Sequence, residues 1–271
     1  MPYKLMDISP WRGFPITSVF GKAALNFRLG RLLFFLREYF FPFGCALCGV
    51  PLIGINEAWY GLCKECHSGL EIEAQEYCEI CSKPLISEHG SCLACRNGEG
   101  RPCDKIKAFF PYYGKYRRLL AAYKFGKNMA LGNFFAGKIL AIIASLNQGQ
   151  ETIIVPVPPR PGKIKEKGWD QVEYLTKLLG KEGKSVPGGI KICRCLKRLC
   201  SGAQKKLDRS GRIENLKNRI VPNRAYLRDA LPKCVILIDD VITTGATLDV
   251  CASVLKSRGV EKVYGLCLFY D

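Results

Sequence analysis

The chain has 271 residues, 48% of them apolar, with 41 Lys and Arg against 24 Asp and Glu for a formal net charge of +17. That length and apolar content allow one α/β domain plus something smaller around a real core, and they exclude a disordered chain. The positive field favours phosphates, nucleic acid or an anionic membrane face as partners over cationic ones.

Residues 1–10 mix charges and prolines, without the apolar run and small-residue cleavage site of a secretory leader, so a cytoplasmic location is expected. In a reducing compartment, regular spacing among the fifteen cysteines points to metal before disulfides. Residues 21–41 read as a helix ending at Pro42, with Leu25, Leu29, Leu32, Leu33, Leu36 and Phe40 at helical spacing. Arg28, Arg31, Arg37 and Glu38 interrupt it, which excludes a membrane span. A helix packed on the rest of the protein is favoured over one lying on a membrane surface.

Three regions separate by composition: an N-terminal helical segment (1–42), a cysteine-dense ribbon region (43–103) and an alternating strand–helix domain (104–271). The ribbon region carries four C-x-x-C pairs: Cys45 and Cys48, Cys63 and Cys66, Cys78 and Cys81, Cys92 and Cys95. A two-residue gap lets both thiolates of a tight knuckle face one ion, and two knuckles complete the tetrahedral four-sulfur shell that suits zinc. Two structural zinc ions are expected, with sequential ribbons (45/48 with 63/66, 78/81 with 92/95) favoured over an interleaved cross-brace. Because a full thiolate shell leaves no open coordination position, these ions serve folding and not catalysis. Cys103, Cys193, Cys195, Cys200, Cys234, Cys251 and Cys267 follow no metal spacing. Cys234, Cys251 and Cys267 are expected in the core, and His67 and His89 at the solvated surface.

From 104 onward the pattern predicts a strand at 104–113, helices at 116–125 and 131–146, a strand at 152–157, a helix at 171–181 and a strand at 190–195. Strand 234–238, helix 246–258 and strand 262–269 then form a βαβ crossover, hence a parallel sheet. After the apolar run that ends at Ile238, Asp239 and Asp240 are expected at the carboxyl end of the strand, where open α/β sheets place ligands. The stretch Thr243, Thr244, Gly245, Ala246 and Thr247 is rich in hydroxyls and leads into a helix N-terminus. Free backbone N–H groups and the helix dipole would converge there on an anion, with the Asp pair nearby to accept hydrogen bonds from ribose hydroxyls.

This segment resembles the phosphoribosyl-diphosphate motif of type I phosphoribosyltransferases: an apolar run, two acids, three residues, then Thr-Gly-x-Thr. Purine-salvage members of that group place an aspartate where Thr243 stands, to handle a proton of the incoming base. Threonine removes that acid or base and disfavours purine salvage. Over nearly the whole chain the sequence resembles the ComF family of competence-associated proteins, which join a double zinc ribbon to a type I phosphoribosyltransferase-like domain. The resemblance rests on Tyr112-Tyr113-Gly114, Tyr123-Lys124-Phe125, Val155-Pro156-Val157-Pro158, Lys167-Gly168-Trp169-Asp170-Gln171, Arg198 with Gln204 and Lys205, and Arg212 with Asn215.

What the resemblance implies follows by position. Residues 155–160 would be the pyrophosphate loop, with Pro158, Arg160 and Lys163. The stretch 201–215 would be the mobile loop, with Lys205 and Arg212. Phosphoribosyl diphosphate would bind with Mg2+, and any transfer would pass through a ribosyl oxocarbenium ion. Between Arg160 and Arg228 stand 19 Lys and Arg against 6 Asp and Glu, leaving a net +13. That exceeds what a diphosphate needs and suits a longer polyanion. Tyr112, Tyr113, Tyr116, Tyr123, Phe125 and Trp169 are candidates to stack the bases of a single strand. Two readings result. One is a single-stranded DNA uptake or handling factor that recognises phosphoribosyl diphosphate or a nucleotide 5′-phosphate and works with competence or DNA-processing proteins. The other is an active phosphoribosyltransferase with an unidentified acceptor.

Overall fold

Residues 43–70, 76–85, 89–97, 100–146, 149–200, 219–226 and 231–271 are described by a computed structural model of the chain. The N-terminal helix expected at 21–41 and the loop carrying Lys205 and Arg212 lie outside the described residues.

The elements along Gly44–Asp271, one compact unit, are α1 (Ile55–Tyr60), α2 (Lys64–Ser68), α3 (Leu93–Arg96), β1 (Lys105–Pro111), α4 (Gly114–Lys124), α5 (Ala130–Leu146), β2 (Thr152–Pro156), α6 (Lys163–Lys167) and α7 (Gln171–Glu182). They continue with β3 (Ile190–Ile192), β4 (Leu196–Arg198), β5 (Ile220–Pro222), β6 (Cys234–Ile242), α8 (Ala246–Lys256) and β7 (Lys262–Tyr270). Five strands form one parallel sheet in the order β1-β7-β6-β2-β3, and β4 pairs antiparallel with β5. The α/β class, a parallel-sheet domain preceded by two cysteine ribbons, is therefore as expected.

Near-continuous apolar strands require helices on both faces. On one face α4, α5 and α7 bury Leu119, Tyr123, Phe135, Ile139 and Leu175 against Phe110, Ile238 and Leu268. On the other, α8 buries Leu248, Cys251 and Leu255 against Val155, Leu237 and Val263. Phe110 is the aromatic hub of the first face: its ring lies 5.5 Å from Tyr116, 6.0 Å from Phe134 and 5.7 Å from Phe269.

The topology places a crevice. From β2 the chain moves outward to β3; from β6 it moves outward the other way, through α8, to β7. Adjacent β2 and β6 thus bracket the point where strand order reverses, and at such points open α/β sheets bind ligands. β6 is longer than the sequence suggests. It runs to Ile242 because β7 pairs with it throughout, Asp239 opposite Cys267, Val241 opposite Phe269 and Ile242 opposite Tyr270. The Asp pair therefore lies inside the strand and not beyond it. Three further readings are corrected. Cys234, at the outer start of β6, is exposed, although Cys251 and Cys267 are buried as expected. His67 packs between Tyr60 and Phe134, at 5.8 and 5.3 Å, instead of standing in solvent, while His89 is exposed beside Glu76. Tyr116 and Tyr123 belong to the core, which withdraws them as platforms for bases, while Trp169 is part-buried and packs edge-on to Tyr123.

Truncating Phe110 to Ala should cost about 3–5 kcal/mol, the usual range for a buried Phe-to-Ala change, read as a lowered denaturant midpoint at unchanged slope.

Candidate functional site

The cysteines gather as two sequential sets, Cys45, Cys48, Cys63 and Cys66, then Cys78, Cys81, Cys92 and Cys95, with all ligand atoms of a set within 4.8 Å of one another. The two sets repeat one design. Each begins with a knuckle: Cys45 N–H donates to Val50 O and Cys78 N–H to Lys83 O, both at 2.8 Å. The residue after each C-x-x-C is left-handed, Gly49 at φ 78° and Ser82 at φ 58°. Each set ends in a short helix with its third cysteine at the N-cap position: Cys63 for α2, whose Sγ accepts from Cys66 N–H, and Cys92 for α3. Zinc–sulfur bonds of about 2.3 Å in a tetrahedron imply sulfur–sulfur edges of about 3.8 Å. Cys48 and Cys63 sulfurs are 3.7 Å apart, and Cys81 and Cys92 sulfurs 3.8 Å. The residues fit zinc. Burial opposes ionisation of Cys45 and Cys78, yet backbone N–H groups outweigh it and bring both thiols down to about 7.

The ribbons are built into the domain. Cys45, Leu52, Leu62, Cys63 and Leu70 of the first share the core of α4 and α5. The second lies along the outer edge of β1, where Ile106 N–H donates to Ile80 O at 2.7 Å and Ser82 Oγ donates to Ile106 O at 2.9 Å.

At the β2–β6 crevice, Asp240 is 9% exposed. Its Oδ2 accepts from Lys124 Nζ at 2.7 Å and from Gln171 Nε2, and its Oδ1 accepts from Val241 N–H at 2.9 Å. Gln171 Oε1 in turn accepts from Lys163 Nζ at 2.9 Å, and Lys163 also pairs with Asp170. Asp170 caps α7, its Oδ1 accepting from Val172 and Glu173 N–H at 3.0 Å. Burial raises the cost of charge on Asp240, but the Lys124 ammonium and the Gln171 amide hold its carboxyl below the usual carboxylate range. Asp239, part-buried, is pushed well above that range by burial and then by the Asp240 charge. The pair shares its charge unequally: Asp240 is ionised and anchored, and Asp239 is the readier to keep a proton.

Thr243 and Thr244 are exposed, Gly245 is buried at φ 78°, and Ala246 and Thr247 open α8. The predicted phosphate loop thus precedes a helix N-terminus, as expected. Across the crevice Pro158 is buried, whereas Arg160 is exposed and paired with Glu166. Lys163 is committed to Asp170 and Gln171 and does not stand open to solvent. The sequence reading missed Lys124 and Gln171 as partners of the Asp pair. Their signal was present in Tyr123-Lys124-Phe125 and in the Gly168 to Gln171 stretch, but nothing local ties either to residue 240.

Beside this crevice a cavity of about 270 Å3 is lined by Pro158, Pro159, Arg194, Lys197, Arg198 and Tyr226, among others. Burial, then Arg219 and Arg160, lower the pKa of the Arg198 guanidinium, so cations are crowded here. Of the proposed aromatics, Tyr113 and Phe125 remain well exposed, at 64% and 65%. A second cavity, of about 550 Å3, lies between the second ribbon and the phosphate loop, lined by Ile80, Lys83, Ile242, Thr243 and Tyr270, among others.

Comparison with known proteins bears out the family resemblance. Residues 36–96 match the double zinc ribbon domain family. Competence protein ComFC of Streptococcus pneumoniae is 27% identical over 74% of this chain and 84% of its own length. Competence protein F of Haemophilus influenzae is 27% identical over 83% of this chain and 95% of its own. Among solved structures, a hypoxanthine phosphoribosyltransferase from Staphylococcus aureus aligns at 16% identity and a TM-score of 0.32, over 50% of this chain and 61% of that one.

Protein purified without chelator should contain two zinc ions per chain by elemental analysis. A Cys48→Ser variant and a Cys81→Ser variant should each lose one ion and keep the other, because the two sets share no ligand.

Proposed function

We propose that this chain, a relative of the ComF competence proteins, binds phosphoribosyl diphosphate or a nucleotide 5′-phosphate and takes part in taking up or handling single-stranded DNA in the cytoplasm. One observation carries the reading: the Asp pair, the hydroxyl-rich loop and the start of α8 follow one another along β6, at the crevice where strand order reverses. Each component suits one part of the ligand. Backbone N–H groups of 245–247 and the α8 dipole favour the 5′-phosphate, with the Thr243 and Thr244 hydroxyls beside it. Asp239 accepts ribose hydroxyls, its neighbour Asp240 being fixed by Lys124 and Gln171. With Asp240 committed to Lys124 and Gln171, Asp239 is the oxygen donor left for a hard divalent cation, and a diphosphate ligand would be taken as its magnesium complex.

The DNA part rests on charge. Arg198 and its neighbours Arg160 and Arg219 lie beside the crevice, and Lys197 lines the adjoining cavity, while Tyr113 and Phe125 stay exposed. A strand whose 5′-phosphate enters the loop would have cations beside it for its next phosphates. The cytoplasmic assignment agrees with fifteen unbridged cysteines. No helix among the described residues is long and apolar enough to cross a membrane.

The cavity of about 550 Å3 beside Thr243 favours a second reading, an active phosphoribosyltransferase, since it offers room for an acceptor. Transfer would break the bond from C1 of the ribose to the pyrophosphate oxygen and release pyrophosphate. Thr243 brings a hydroxyl, not a carboxylate, to the acceptor side.

Calorimetric titration separates the roles of the two acids. Asp239→Asn should weaken binding of magnesium phosphoribosyl diphosphate by at least about tenfold, because the ribose hydroxyls lose the carboxyl group that receives them, with little change in stability. Asp240→Asn should lower both affinity and thermal stability, because Lys124 loses its buried partner. Equal affinity in wild type and Asp239→Asn would refute the pocket. Oligonucleotide affinity should fall with salt at a log–log slope of about −0.7 per phosphate neutralised. An oligonucleotide bearing a 5′-phosphate should compete with phosphoribosyl diphosphate; release of pyrophosphate with an added acceptor would instead support the enzyme.

A further inference from the structure

Arg101 follows shortly after Cys95, the last ligand of the second ribbon, and its side chain reaches the phosphate loop. Its Nη2 donates to Thr244 O at 3.0 Å and to Asp249 Oδ2 at 2.7 Å, and its Nε donates to Asp249 Oδ1 at 3.2 Å. Asp249 lies on the first turns of α8, where its N–H donates to Gly245 O at 2.9 Å. The segment is tied down again by Cys103 N–H to Asp249 Oδ1 at 3.4 Å and by Asp104 N–H to Val263 O at 2.8 Å. The guanidinium lies against Gly245: a Cβ built there would be 1.8 Å from Nη2 and 2.9 Å from Cζ. Glycine is needed at 245 twice over, for φ 78° and for this approach.

A trans peptide unit points its C=O and its N–H in opposite directions. With the Thr244 carbonyl held on the Arg101 side, the Gly245 N–H must face away from Arg101. Glycine at a left-handed position lets the preceding peptide flip at low steric cost, so the loop alone does not fix that orientation. An anion cradle made of backbone N–H groups depends on it, because a flipped peptide presents a carbonyl where a donor is required. We infer that Arg101 is a positioning residue: it pins the Thr244–Gly245 peptide so that its N–H serves the phosphate, and through it the second zinc ribbon sets the anion affinity of the loop. This deepens the phosphate-loop reading above and rests on it. The cavity between the two lends weight, since Cys81, Cys92 and Cys95 share its lining with Arg101, Thr244 and Asp249. The first ribbon, packed against α4 and α5, has no such route among the described residues.

The test uses the full chain and inorganic pyrophosphate as the probe. Arg101→Gln and Asp249→Asn are measured for zinc content, pyrophosphate affinity by calorimetry and hydrogen exchange of the amides at 243–248. Arg101→Gln should keep two zinc ions, lose about tenfold in affinity, as a charged hydrogen bond is worth, and exchange faster at 243–248. Arg101→Lys, which keeps the charge but not the fork, should recover part of the affinity. Gly245→Ala should cost less affinity in an Arg101→Ala background than in the wild type, since the guanidinium no longer meets the methyl. Cys92→Ser should weaken pyrophosphate binding and Cys63→Ser should not. Unchanged affinity and exchange in Arg101→Gln overturn the inference, as does loss of zinc from that variant. If the wild type binds no pyrophosphate, the phosphate-loop reading fails, while the exchange rates still decide whether Arg101 pins the peptide.

Discussion

Asp240 sets the terms for the rest of the site. A carboxylate placed inside a central strand has lost most of its water, and such a charge persists only with a partner of opposite sign and hydrogen bonds to its remaining lone pairs. Lys124 supplies the charge from the end of α4, and Gln171 supplies a donor from the first turn of α7. Gln171 is held by Lys163 and by its own carbonyl, which accepts from the Tyr123 hydroxyl at 2.8 Å. Three helices are thereby keyed to one carboxylate. Asp239, freed from this work, is the member left to meet a ligand.

The ribbons solve a different problem by a related route. A segment as short as 43–97 has little apolar surface to bury, and a four-thiolate shell supplies the missing cohesion. The two halves use one knuckle and one cysteine-capped helix each but spend them differently. The first adds its apolar side chains to the main core. The second keeps its own small core of Cys78, Cys81, Leu85 and Cys92 and covers β1, an edge strand whose free N–H and C=O groups would otherwise invite pairing with another chain.

Much of this was legible in the sequence, for reasons that differ by element. The C-x-x-C pairs carry their chemistry in their spacing, and β2, α5, α7, α8 and β7 carry theirs in periodicity, so both survive without tertiary information. The end of β6 was misplaced because Asp239 and Asp240 look like a loop; only pairing with β7 shows that their backbone continues the ladder. Short elements such as α6 and the β4–β5 pair have too few residues for a period. Lys163 was expected to offer its charge to a diphosphate, and its bonds to Asp170 and Gln171, remote from any local pattern, were not foreseen. Arg101 gave no signal at all: its partners, Thr244 and Asp249, are remote in sequence, and only the folded chain brings them to it.

The charge around the crevice follows from these commitments. Lys124, Lys163, Arg101 and Arg194 each have a carboxylate partner, in Asp240, Asp170, Asp249 and Glu173, and so add little net field. Arg198 is different. It is part-buried, and after burial the largest influence on it is another arginine, Arg219, to which Arg160 adds, against the opposite pull of Cys251 and Asp239. Like charges held together in a partly dry site work against the folded state, and an anion that enters removes that repulsion as it binds. The neutralised cations therefore shape the pocket, and Arg198 beside Arg219 supplies its attraction for phosphate. The sum of charges along 160–228 overstates how many residues do the second task, because Lys163 and Arg194 within it are already occupied with the first.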